Sequence, residues 1–244
     1  MFNELSVLRQ LKNRFKANSS DLVLGIGDDC AAVRAGGGIL TLYSSDTLVE
    51  GVHFSTSYMT HREISKKAVS VSVSDIAAMG GKPKYFLSTV GFPKCTQDNF
   101  IDKLLDGFEE SSSIYGIELI GGNITSSDKL FIDITVIGEV EEDKIVRRSG
   151  ASVGDLLFVT GTLGDSAKGL EILSSGNGEK DSHLEHRHKN PVARIETGRI
   201  LGNLGIATSM IDISIEFFQL SQPRKKRIAL NTNIGMIPTT TTLR

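Results

Sequence analysis

Cysteine is scarce in this chain, with Cys30 and Cys95 the two thiols among 244 residues. Two thiols cannot build a disulfide framework and fit a reducing cytoplasm; neither has a histidine close by in sequence, so each reads as a small buried residue rather than a nucleophile. Long hydrophobic runs are missing as well. None approaches the ~20 residues that span a bilayer, and the opening MFNELSVLRQLKNRF carries too much charge for a signal peptide, so no membrane is expected. Excess charge of one sign is also absent. A formal net charge of −2, with no Lys/Arg stripe interleaved with aromatics, disfavours nucleic acid as a partner. Two familiar nucleotide loops are lacking too. GTLGDSAKG at 161–169 does not have the Gly-Lys-Ser/Thr spacing of a Walker A loop, and GIGDDC at 25–30 lacks the third glycine of a dinucleotide fingerprint.

What the chain does have is acid at the ends of apolar stretches. The runs 22–26 and 39–43 deliver the backbone into Gly27-Asp28-Asp29 and Ser44-Ser45-Asp46, and similar places follow at Ser74-Asp75 and Gly121-Gly122-Asn123. A carboxylate at the mouth of a buried strand is costly unless it is solvated, paired or bound to a cation. Several such oxygens point to a hard cation, with magnesium carrying phosphates the best match.

Hydrophobic spacing gives the expected elements. Leu5, Leu8, Leu11 and Phe15 predict a packing helix that ends near Asn18. Strands are expected at 22–26 and 39–43, joined by a Gly36-Gly37-Gly38 turn, then a helix over 63–79 closed by Gly80-Gly81. Asp75 falls in the last turns of that helix, against the helix dipole, so a positive group is expected beside it. A strand at 85–92, a helix at 98–115, and strands at 117–120 and 130–140 flanking a Gly-Gly-Asn turn complete an α+β unit. The charged stretch 139–144 marks a boundary, which divides the chain into domains 1–140 and 141–244. In the second, a strand at 155–160, a helix at 167–173, a polar loop at 174–190, a helical stretch at 191–204 and a strand at 206–213 are expected.

Each candidate residue also has an ordinary reading. Asp29, Asp46, Asp75 and Asp212, taken singly, are more often turn or cap residues; their recurrence at element ends brings metal–phosphate binding level with that reading. His183, His186 and His188 could suggest a transition-metal site, but their polar surroundings favour a solvated loop. His53 could donate to a substrate phosphate or merely close a turn, and Arg148 could grip a phosphate bidentately or be a surface arginine.

The motifs GIGDDCAAV, SSDTLVEGVHF, VSDIAAMGGKP, LIGGN, RRSGASVGD and VTGTLGDSAKGL, in this order, closely resemble the thiamine-monophosphate kinase family. That family belongs to a wider group with aminoimidazole ribonucleotide synthetase and selenophosphate synthetase. The resemblance runs over 25–213 and implies an α+β, two-domain fold of the aminoimidazole ribonucleotide synthetase type. Its N-terminal domain would bind ATP and magnesium and build a β-barrel with a second subunit; a C-terminal α/β domain would fold against it. The implied activity is ATP-dependent phosphorylation of thiamine monophosphate to the diphosphate, by a cytoplasmic homodimer. Position by position, Asp29, Ser44, Ser45, Asp46, Asp75, Asn123 and Asp212 match magnesium ligands. Gly122, Asn123, Arg148 and Ser214 match ATP contacts, and His53 a substrate contact. The resemblance assigns no catalytic base, and an acceptor phosphate with a second pKa of about 6 needs none at neutral pH.

Two departures stand out. The family's Gly-Gly-Asp is Gly121-Gly122-Asn123 here, which leaves a neutral amide oxygen as the ligand. Its Ile-Asp-Ile-Ser-Asp-Gly is Ile211-Asp212-Ile213-Ser214-Ile215-Glu216, and from Ile215 onward the chain follows the family poorly and stops short of its length. The C-terminal domain is therefore expected to be incomplete, with exposed strand edges and poor solubility. Turnover could then be lost, leaving a nucleotide-binding or dimerising remnant. Another ATP-using member of the group is a further alternative; the absence of a reactive N-terminal Cys or Lys glycine loop argues against a selenophosphate synthetase.

Overall fold

One helix, α2 (His61–Ala78), is buried almost throughout. It starts at Thr60, whose side chain accepts from the Glu63 N–H while Glu63 reaches back to the Thr60 N–H, a reciprocal cap that the expected start at 63 misses. Its inward positions mix Ile64, Val69, Val73 and Ile76 with Ser65, Ser70, Ser72 and Ser74. The serine hydroxyls are satisfied locally where they meet no partner element: Ser65 donates to the Arg62 carbonyl at 3.1 Å and Ser72 to the Ala68 carbonyl at 3.1 Å. Small side chains let neighbours come close. At Gly107, on the facing helix α3 (Phe100–Tyr115), a Cβ would stand 2.0 Å from Ser65 Oγ and 2.4 Å from the Arg62 carbonyl oxygen.

The structure is a computed structural model, and it describes residues 4–16, 19–94, 99–175, 180–213 and 241–243. Beside α1 (Glu4–Arg14), α2 and α3, the first unit contains β1 (Leu22–Leu24), β2 (Ala31–Gly36), β3 (Ile39–Val49), β4 (Lys82–Phe92), β5 (Glu118–Ser126) and β6 (Phe131–Glu141). They form one sheet in the order β1-β2-β3-β6-β4-β5. Every pairing is antiparallel except β4 with β5, which α3 joins as a parallel crossover. One face of the sheet packs on α2 and α3 through Leu40, Leu42, Leu48, Phe86, Ile132, Ile134 and Val136, all buried. The opposite face carries the exposed Tyr43, Ser45 and Thr47.

The second unit has β7 (Leu156–Phe158), α4 (Asp165–Ser175), α5 (Ser182–Lys189), α6 (Ile195–Leu204) and β8 (Thr241–Leu243), the last paired antiparallel with β7. This is the expected α+β architecture. Among the described residues no helix is long and apolar enough to cross a membrane.

Several expected elements change. The strand placed at 39–43 runs on to Val49, because β6 supplies a partner for each residue down to Val49 opposite Phe131, so Ser44, Ser45 and Asp46 lie within a strand and not after one. The Gly36-Gly37-Gly38 turn joins β3 to β2, a short strand of small residues that apolar spacing does not reveal. Gly-Gly-Asn is likewise mid-strand, in β5, where Gly122 pairs with Ser88 so closely that a Cβ would sit 1.9 Å from its carbonyl oxygen. The expected loop at 174–190 contains α5, started by Asp181, whose carboxylate accepts from the N–H groups of His183 and Leu184. Residues 206–213 form no strand: they run along 147–148, with the Met210 N–H donating to the Arg147 carbonyl at 3.1 Å. On α1, Leu8 and Leu11 are partly exposed, and Phe15 just beyond it is 67% exposed, so this segment does not pack as its spacing suggested.

Two consequences can be measured. Ile132 is fully buried opposite Leu48 and Val90, so Ile132→Ala should cost about 2–5 kcal/mol in chemical denaturation. Lys67 of α2 is fully buried, and burial lowers its ammonium to about 7. An unfolded lysine titrates near ~10.4, so between these values the unfolded chain binds more protons and stability rises with pH. Thermal melts from pH 7 to about 10 should show this rise in the wild type, and Lys67→Met should flatten it.

Candidate functional site

Four pieces of chain bring carboxylates together. The turn between β1 and β2 supplies Asp28 and Asp29, the helix-facing side of β3 supplies Ser44 and Asp46, α2 supplies Ser74 and Asp75, and the segment after α6 supplies Asp212. Period-two alternation along β3 puts Ser44 and Asp46 on the side of Leu42 and Leu48. Position 75 falls at the end of α2 nearest them. Ser44 Oγ donates to Asp75 Oδ2, and Ser74 Oγ donates to Asp212 Oδ1.

Arg148, just beyond β6, reaches into this cluster. Its guanidinium donates to Asp29 Oδ1, from Nε at 2.9 Å and from a terminal nitrogen, while its backbone N–H donates to Asp28 Oδ1 at 3.1 Å. A positive group is expected beside Asp75; the arginine bonds Asp29 instead and feels Asp75 only through its charge. The other Asp29 oxygen, Oδ2, is buried and, among the described residues, has no hydrogen-bond partner. A buried carboxylate oxygen without a donor is costly and marks a place where a cation or a donor fits.

The charges strain against one another. Burial pushes the Asp75 carboxyl well above the usual range, and Asp46, Asp212 and Asp29 push it further. Burial does the same to Asp212, with Ser74 opposing and Asp29 and Asp46 adding to it. Asp29 is raised by burial, against the pull of Arg148. Burial disfavours the Arg148 cation, but the charge and hydrogen bonds of Asp29 outweigh it and keep the guanidinium protonated. Cys30, buried beside these acids, has its thiol pushed well up by burial and by their charge, which removes it as a nucleophile.

The structure therefore gathers Asp29, Ser44, Asp46, Asp75, Arg148 and Asp212. It does not gather the others. The Ser45 side chain lies on the opposite face of β3, with Oγ 3.3 Å from Asp133 Oδ1 and 3.2 Å from Thr135 Oγ1. Gly122 and Asn123 sit on β5, separated from β3 by β6 and β4, which at ~4.8 Å per strand is about 14 Å. His53 lies in the turn after β3, where its Nδ1 accepts the Val49 N–H at 3.0 Å. Ser214 lies outside the described residues. The histidines of α5 do not form the solvated loop expected of them: His188 is 1% exposed, with Nε2 3.3 Å from Lys67 Nζ and Nδ1 3.1 Å from Ser166 Oγ. Sequence reading missed Asp28 as the anchor of the Arg148 backbone and Ser74 as the donor to Asp212; their adjacency to Asp29 and Asp75 was the available signal.

Oxygen donors and one unpaired buried carboxylate oxygen suit a hard cation. Among the described residues no three His, Cys, Asp or Glu side chains are arranged to hold a metal by themselves. Magnesium usually takes one or two carboxylates and completes its shell with water and phosphate oxygens, so this donor set fits a metal that arrives with a nucleotide.

Residues 27–140 match the family model of the AIR synthase related protein, N-terminal domain. The thiamine-monophosphate kinase of Bacillus subtilis is 40% identical over 187 residues, covering 74% of this chain and 58% of that protein. The crystal structure of thiamine monophosphate kinase from Aquifex aeolicus is 32% identical, with a TM-score of 0.73, over 88% of this chain and 69% of that one. AaThiL complexed with AMPPCP and TMP is 34% identical, with a TM-score of 0.77, over 86% of this chain and 65% of that one. The chain thus spans 58% of the length of its Bacillus subtilis relative. Motif order, sheet topology and these likenesses agree, and the chain belongs to the thiamine-monophosphate kinase family of AIR synthase related proteins.

Proposed function

We propose that this chain transfers the γ-phosphoryl group of ATP to thiamine monophosphate, giving thiamine diphosphate, with magnesium held at the acid cluster. The observation that carries this reading is the buried convergence of Asp29, Asp75 and Asp212 beside one arginine bonded to Asp29, with Asp29 Oδ2 left without a partner among the described residues. Such a site is unfavourable by itself and becomes favourable when a cation with phosphates enters it. The complex of AaThiL with AMPPCP and TMP supports the choice of substrates.

In this reading Asp29, Ser44, Asp46, Asp75 and Asp212 would hold magnesium, while Ser45, on the opposite face of β3, and Asn123, on β5, would serve a metal only outside this cluster. Bound magnesium neutralises the phosphate charges that would otherwise repel one another. Arg148 orients Asp29 and presents its remaining donors to the nucleotide, alongside Gly122, Asn123 and Ser214. His53 contacts thiamine monophosphate. The acceptor phosphate, a dianion near neutral pH, attacks without a general base, so the chain's work is to position two anions and exclude water.

We further place a domain boundary at 140/141, and infer a cytoplasmic homodimer. All of β5 is exposed and forms an edge of the sheet, with Leu119, Ile120 and Ile124 uncovered, which supports a second copy pairing there. Such pairing would also explain how Gly122 and Asn123 could serve a nucleotide whose metal sits several strands away. A second reading, nucleotide binding without turnover, is favoured by Asn123 standing where the family has an acid.

Purified protein given ATP, magnesium and thiamine monophosphate should form thiamine diphosphate, detected by chromatography, and Asp46→Ala should lower the rate by about 10²–10³-fold. ATP binding with no product from folded protein would select the second reading. Removing one repelling charge by Asp75→Asn should raise the metal-free stability at pH 8 by about 1–2 kcal/mol, measured by chemical denaturation. The same change should abolish the further rise that magnesium and ATP give the wild type in a thermal-shift titration.

A further inference from the structure

The turn that carries His53 is held by more than its own backbone. The His53 N–H donates to the Val49 carbonyl at 3.0 Å, and the Val49 N–H donates to His53 Nδ1 at 3.0 Å. A backbone N–H can only donate, so Nδ1 must accept, and the ring proton of neutral His53 belongs on Nε2. Behind the turn lies Lys67, fully buried on α2, whose ammonium donates to the His53 carbonyl at 3.1 Å. Its other contact is His188 Nε2 of α5, at 3.3 Å, and among the described residues no carboxylate pairs with it. His188 is in turn fixed through Nδ1 at Ser166 of α4. The chain of contacts runs from the second unit, through the buried lysine, to the His53 backbone. Residues next to His53 form one wall of an open cleft of ~440 Å³, including Val52, Phe54 and Tyr58, and Leu170 and Leu173 of α4 form the other.

We propose that Lys67 is a positioning residue that, together with the Val49 N–H, locks His53 as a neutral imidazole presenting Nε2–H to the substrate. Within the substrate-contact reading of His53, on which this rests, the histidine donates one directed hydrogen bond and serves neither as a base nor as a cation. Burial, and then the Lys67 charge, lower the His53 imidazole below its ordinary value, which agrees with a neutral ring. The titratable and charged groups around the pair are Glu50 and Tyr58 from the same loop, the Tyr58 ring meeting His188 edge-on at 6.1 Å, together with His188 and Lys189 of α5. Glu50, the one acid among these, accepts from Thr56 Oγ1, and the charge that acts on His53 is that of Lys67.

The test uses the full chain, labelled with ¹⁵N, in long-range ¹H–¹⁵N spectra from pH 5 to 8, with His53 identified by its loss in His53→Gln. The wild type should show a protonated Nε2 and bare Nδ1 throughout the neutral range. Lys67→Met should move the His53 titration to higher pH, whereas Lys67→Arg should keep it low. An Nδ1–H tautomer in the wild type, or an unchanged titration in Lys67→Met, overturns the proposal; the first readout needs no variant to fold. Adding thiamine monophosphate should shift the Nε2 resonance. A locked tautomer with no such shift would reject His53 as the substrate contact while leaving the phosphoryl-transfer reading to the product assay. In that assay Lys67→Met should raise KM for thiamine monophosphate about tenfold, the worth of one oriented hydrogen bond, with a smaller change in kcat.

Discussion

Crowded, desolvated acid is the constraint on which the rest of this structure depends. Asp29, Asp75 and Asp212 are each less than a tenth exposed, and each is driven upward in pKa by burial and by its neighbours. Such an arrangement persists only if the surrounding fold supplies enough packing to hold it. The fold does so with a long helix, buried over most of its length, against a sheet whose inner face is largely aliphatic and aromatic around the acids. Stability is spent in this way where a charged ligand is to be bound.

The same acids tie the two units together. Arg148, carried by the connection out of β6, is anchored at both backbone and side chain by Asp28 and Asp29. Asp212 reaches back to Ser74 of α2, and Ser209 donates to the Arg148 carbonyl at 2.7 Å. Away from the acids, the Val146 N–H donates to the Met79 carbonyl at 3.2 Å, and Gly202 of α6 allows a close approach to Gly80 at the end of α2. A mispacked second unit would therefore disturb the cluster directly, because two of its groups come from that side. Lys67 and His188 make a second, separate bridge between the same units.

Much of this was legible in the residues. The acids were conspicuous because each follows or interrupts an apolar stretch, and the α+β architecture followed from the alternation of periods. Positions within elements were harder. Ser44 to Asp46 and Gly121 to Asn123 look like breaks because polar and glycine residues end most strands, yet β6 beside the first and β4 beside the second let them continue. Whether a hydroxyl at 44 and one at 45 act together depends on strand pleat, and extending β3 through both sends them to opposite faces. The α5 histidines misled for a related reason: composition reads HLEHRH as solvated, while only the packing of α4, α5 and α2 buries one of the three.

The sequence by itself determined the chemistry that is available: oxygen ligands, one well-placed arginine, no nucleophilic thiol environment, no nucleotide loop of the common kinds, and a motif order characteristic of one family. Those properties depend on residue type and spacing, which local reasoning reaches. Tertiary structure alone decided which acids share one desolvated space, which of them the arginine bonds, and that a lysine with no acid paired to it among the described residues lies behind His53. These are contacts between residues far apart in the chain: 138 positions for Ser74 with Asp212, 121 for Lys67 with His188 and 119 for Arg148 with Asp29. Burial and Coulomb energy depend on distance in space, which the order of residues along the chain does not contain.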